Sequence, residues 1–277
     1  MRAADHLSVE TMARAIGGGL EPEEVGSAVL PHLVSRCAAC RQTHARLARL
    51  LRSSHHCDLV TMYLEDEQVP GLWARLEKLP LDEQLSLVAQ DEDFHNWMLC
   101  RAIAQQSLAA VTDRSPAAVP LATLALAVSR QLGSDYDDDW VHDLRVECLA
   151  YLAHARRAQG DLPGAQQDFA QARAQHASAG TGSNRLTADL DRLEALLHRD
   201  LGDFPKVVAL FASALAVFAG DHPEDRDPVL AREVRAQLTA CRRLSEREPK
   251  PARTRSRRAP GGSARASADR AMLRRHS

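Results

Sequence analysis

Apolar positions fall at helical spacing along most of this 277-residue chain, in Ala- and Leu-rich runs that break at glycine and proline. The first helix is predicted to start after Ser8, a capping residue. Leu7 before that cap and Met12 four positions after it are placed to form a hydrophobic staple. Gly17, Gly18 and Gly19 end the helix, because three glycines are costly in a helix and easy in a turn. Pro22, with Glu21, Glu23 and Glu24 around the positive end of a helix dipole, starts a second helix on which Val25, Ala28, Val29 and His32 share a face. A third run extends from about Arg41 to Arg52. Residues 56–90 are less regular, and GLWARLEKLPLDEQLSLV within them reads as two short helices split by Pro80. From Asp91 onward the chain becomes a series of Ala/Leu-rich helices.

Three places in that series repeat one pattern. Gly160 is followed at +5, +9 and +12 by Ala165, Phe169 and Ala172. Gly202 is followed at the same offsets by Val207, Phe211 and Ala214, and Asp113 by Ala118, Ala122 and Ala125. Small residues let two antiparallel helices approach, a glycine makes the turn, and an aromatic fills the groove between them. The Gly160 unit, with Leu149, Leu152 and Ala153 in its first helix, resembles the tetratricopeptide repeat. The Gly202 unit matches well in its second helix, and the Asp113 unit is degenerate. Anchor spacings of 47 and 42 exceed the 34 residues of that family, so the array is irregular. A loop at SAGTGSN, residues 178–184, accounts for the second excess, and DYDDDWVHD, residues 135–143, for part of the first.

Composition agrees with a helical protein. Hydrophobic residues are 45% and aromatics 4%, with few β-branched runs. The longest apolar run, AAVPLATLALAV from Ala117, is far short of the roughly 20 residues that span a bilayer. The N-terminal MRAADHLSVETM lacks the apolar core of a signal peptide, so the expected location is cytoplasmic. The formal net charge of −2 hides an asymmetry: residues 245–277 hold ten Lys/Arg and three Asp/Glu, leaving the rest of the chain at −9. That Pro-, Gly-, Ser- and Arg-rich tail cannot bury enough apolar surface to fold alone and is expected to be disordered.

The six cysteines stand at 37, 40, 57, 100, 148 and 241. Cys100, Cys148 and Cys241 lie in Ala/Leu-rich patterns and are expected to pack as small hydrophobes. Cys37 and Cys40 form a CxxC inside PHLVSRCAACR, which leaves three readings: a metal site, a redox couple, or two thiols beside a surface histidine. A closed zinc site takes four ligands. Cys37 and Cys40 supply two, His32 lies five residues earlier, and His6 is the best fourth, because a helical hairpin around the GGG turn would return His32 near it. His55, His56 and Cys57 are an alternative source of ligands or of a resolving thiol.

The first 45 residues resemble the zinc-binding domain of bacterial anti-sigma factors. The matching elements are His6, the phrase GLEPEE at 19–24, His32, Cys37, Cys40 and Arg41. The family spaces its histidine and first cysteine by three residues, whereas four separate His32 from Cys37 here. One residue turns a helix by about 100°, so the helix must end or loosen between them for His32 to ligate. The resemblance implies a zinc cofactor, a regulatory role and a sigma factor as partner.

No phosphate-binding loop, HExxH or GxSxG is present, and DYDDDWVHD lacks the glycine and terminal Glu of an EF-hand. No catalytic constellation emerges. The expected organisation is an all-α chain with four parts: a zinc-finger-like helical module at 1–55, a helical connector at 56–90, a tetratricopeptide-like α-hairpin array at 91–244 and a basic tail at 245–277. The expected function is a cytoplasmic protein-interaction regulator with no enzymatic activity. The alternative is a nucleic-acid-binding regulator that uses the zinc module and the arginines of the tail.

Overall fold

The computed structural model describes residues 6–34, 37–53, 59–223 and 225–247. Every regular element among them is helical, and none is a strand. The basic tail beyond Arg247 and the His55, His56 and Cys57 group lie outside the described residues.

Helix α1 (Val9–Ile16) begins where the sequence places it. Ser8 accepts a hydrogen bond from the Thr11 amide at 3.2 Å, and Met12 is fully buried. Gly17 caps its end, and Gly18 takes a φ of +77°. The next helix opens as α2 (Pro22–Glu24), with Glu21 and Glu24 forming a reciprocal capping box. It widens into a π turn (Val25–Val29), in which the Leu30 amide reaches back to the Val25 carbonyl, and finishes as α3 (Leu30–Val34). Pro31 explains the widening. It has no amide hydrogen and its ring presses on the preceding turn, so the chain adopts a looser pitch just ahead of it.

Helix α4 (Ala38–Ser53) starts three residues earlier than the expected run from Arg41. The Cys40 amide hydrogen-bonds the Cys37 sulfur, so Cys37 serves as the capping residue and Cys40 falls in the first turn. The expectation of two short helices before and after Pro80 also needs revision. Helix α5 (Leu59–Leu76) is 18 residues long and carries Pro70 inside it, while Pro80 is the cap of α6 (Leu81–Gln90).

The remainder is a stack of hairpins: α7 (Trp97–Thr112) with α8 (Ala118–Gln131), α9 (Asp138–Ala158) with α10 (Leu162–Ser178), and α11 (Asn184–Asp200) with α12 (Phe204–Phe218). Helix α13 (Pro228–Arg247) lies against α12. First helices touch one another along the stack, α5 to α7 to α9 to α11. All nine residues at the +5, +9 and +12 offsets are at most 2% exposed. The turns share their chemistry too. Gly160 and Gly202 adopt φ of +87° and +78°. Asp161 and Asp203 behind them cap the next helix through the Gly164 and Lys206 amides, and a proline sits in each first turn. In the degenerate unit Arg114 takes the left-handed position, with φ +55°.

Helix α9 begins inside the acidic DYDDDWVHD stretch. Asp137 accepts from the Asp139 and Trp140 amides, and the acids around it are exposed. The loop at 179–183 is held by Asp143 of α9, which accepts from both the amide and the hydroxyl of Thr181.

Three apolar cores result. A small one joins Met12, Cys40, Leu47, Leu50, Met62 and Tyr63 of α1, α4 and α5. A large one runs from Leu72 to Leu197, and a third joins α11, α12 and α13 around Phe211 and Phe218. Cys100, Cys148 and Cys241 are all buried in the two larger cores, as small hydrophobes would be. No helix among the described residues is long and apolar enough to cross a membrane.

Candidate metal centre

The N-terminal end of α4 brings both cysteines of the CxxC to one spot. Cys37 caps the helix and Cys40 points from its first turn into the small core, where it is 2% exposed. Helix α1 packs on α4 through Met12 and Ala13, and this places His6, three residues before α1, over the same helix end. His6 Nδ1 lies 3.3 Å from Cys37 Sγ and 3.9 Å from Cys40 Sγ. The ligand atoms of the three residues all fall within 4.8 Å of one another, so His6, Cys37 and Cys40 form a group able to hold a metal ion.

His32 Nδ1 is 3.9 Å from Cys40 Sγ, while the mutually close trio does not extend to it. Cys37 belongs to neither helix, α3 ending at Val34 and α4 starting at Ala38; residues 35 and 36 lie outside the described residues. The continuous helix that would turn His32 away from the cysteines is therefore not formed.

The separations suit a tetrahedral ion. Bonds of about 2.3 Å to sulfur and 2.0–2.1 Å to nitrogen set neighbouring S and N atoms about 3.5 Å apart. The three distances from sulfur to imidazole nitrogen bracket that value. The two sulfurs and the His6 imidazole are a borderline-soft donor set, of the kind that holds a transition-metal ion.

The thiols are unequal before any metal arrives. The Cys37 thiol is lowered to about 7 by the Cys40 amide, then by the Cys40 thiol and by His6. Burial raises the Cys40 thiol, with the nearby Cys37 adding to the effect. One sulfur is thus substantially ionised near neutral pH at a helix N-terminus, and the other keeps its proton. His6 is exposed, so the cluster opens to solvent on the side where an ion could enter.

Searches against family models, curated proteins and solved structures return no match to this chain. The metal-binding potential of the cluster therefore rests on its geometry.

Proposed function

We propose that this chain is a zinc-dependent regulatory interaction protein. His6, His32, Cys37 and Cys40 hold a structural zinc that ties α1, α3 and α4 together. The hairpins from α7 to α12 form an irregular tetratricopeptide-like scaffold for a protein partner. The carrying observation is that His6, more than 30 residues from the CxxC, converges on it at separations that fit a tetrahedral ion. Four protein ligands leave no position open for a water, so the zinc is structural rather than catalytic. The resemblance of the first 45 residues to anti-sigma zinc domains makes a sigma factor the first partner to test.

The test is metal analysis by mass spectrometry of freshly reduced protein, beside His6→Ala, His32→Ala and Cys37→Ala. About one zinc per wild-type chain, lost in each variant, is expected. Wild-type protein with less than about half a zinc per chain would remove the metal from this reading. Zinc retained in full by His32→Ala would replace the fourth ligand. A pull-down from the native host that recovers no sigma factor would remove that partner while leaving the metal site untouched.

A further inference from the structure

A cleft of about 460 Å³ opens where α7, α9, α11 and the start of α13 meet. Its size falls within the usual range for small-molecule sites. Its walls mix apolar surface, from Trp140, Leu186 and Leu230, with a set of charges.

Those charges are not equally engaged. Arg185 donates to Asp189 at 3.1 Å and to Asp227 at 3.0 Å. Arg192 is held by Asp189 at 3.3 Å. Arg101 of α7 differs. Its nearest acidic neighbour is Glu147 Oε2 at 3.8 Å, too long for a hydrogen bond. The other Glu147 oxygen accepts the Tyr151 hydroxyl at 2.6 Å. The Arg101 side chain is only 23% exposed, and its guanidinium has five donors in a fixed fork. A guanidinium at this depth ordinarily spends its donors on carboxylates or carbonyls, as Arg145 does on the Ser129 and Leu132 carbonyls at 3.0 and 3.2 Å.

We propose that this cleft binds a small organic monocarboxylate, with Arg101 gripping the carboxylate and the Trp140, Leu186 and Leu230 walls taking its apolar body. A carboxylate matches the guanidinium fork in shape and charge. A single charge is favoured over two because Asp143, Glu147, Asp189 and Asp227 line the same space and would repel a dianion. The site does not depend on the zinc reading, since none of its residues belongs to the metal cluster.

Octanoate and octanamide are suitable probes, because they share an apolar chain and differ in charge. Calorimetric titration of the full chain is expected to show octanoate binding about tenfold or more tighter than octanamide. Arg101→Met should abolish that preference, with folding checked by circular dichroism. Arg130→Met, on an exposed arginine of α8, should keep it. Glu147→Gln removes the negative neighbour and should tighten octanoate, which keeps the proposal open to refutation if Arg101→Met fails to fold. Equal affinity for acid and amide, no binding of either, a preference that survives Arg101→Met, or octanoate affinity that is unchanged or weaker in Glu147→Gln would each overturn it.

Discussion

Gly180 sits in the loop between α10 and α11 with φ of +104°, and a β-carbon there would overlap Asp143 Oδ1. Asp143 cannot swing aside freely, because Thr181 holds its other oxygen. Gly180→Ala is therefore expected to cost about 2 kcal/mol or more, adding a clash to the strain of the left-handed backbone. Gly182, with φ of +70° and open space around it, should cost only about 1 kcal/mol as Ala. Urea midpoints of the two variants would compare them, and equal losses would refute the clash. His154 supplies a pH dependence. Burial first, then Arg157, Arg192 and Arg199, push its pKa down to about 3. An unfolded histidine takes up its proton near 6.5, so between about 6.5 and 3 the unfolded state binds more protons, and stability falls as pH falls. Wild type should lose on the order of 2 kcal/mol more than His154→Asn between pH 7 and pH 5 in urea titrations. Parallel pH profiles would contradict this. The buried residues at the three repeat offsets were legible in the sequence, because small and aromatic residues at helical spacing signal packing directly. The Gly180–Asp143 contact and the Arg101–Glu147 pair were not, since their members lie 37 and 46 residues apart and only the packing of helices joins them.

Helix starts were the most readable elements. Ser8, Pro22 and the Gly–Asp turns carry their chemistry within three or four residues, and the structure places them as that chemistry requires. The π turn went unread, although Pro31 was a signal for it, because a proline inside a helical pattern has several outcomes and only packing selects one. The beginning of α4 was misplaced for a similar reason: cysteine is not among the usual caps, and Cys37 takes that role because the Cys40 amide donates to its sulfur. The metal reading has its clearest consequence at this scale. Helices α1 to α3 contribute few buried side chains, among them Met12, Ala13 and Val29, and so small an apolar contribution does not hold short helices unaided. Chelating the zinc should therefore melt α1, α2 and α3 while the hairpins from α7 to α12 stay folded. Hydrogen exchange by mass spectrometry would report it, and unchanged protection of residues 9–34 after metal removal would count against a structural metal.

At the scale of the whole molecule, a single helix belongs to two cores. Met62 and Tyr63 of α5 lie in the small core beside the metal cluster, while Leu72 and Leu76 lie in the large one. The acidic body and basic tail were evident from residue counts. This division of one helix was not, because residues 56–90 show no continuous apolar period and read only as two short helices about Pro80. Heating the zinc-loaded protein is expected to give one transition, and heating it with chelator two, with what remains of the small core on α4 and the first half of α5 melting first. Differential scanning calorimetry distinguishes these, and a single transition in both conditions would show that the two cores melt as one. Pro70 stands between the two halves of α5 and cannot donate to the Asp66 carbonyl one turn before it. Helix fraying that starts at the metal end thus meets a missing rung there. Proline in this position acts as a firebreak: on the zinc reading, disorder admitted by loss of the ion can consume the first half of α5 and stop, leaving Leu72 and Leu76 to anchor the hairpin stack.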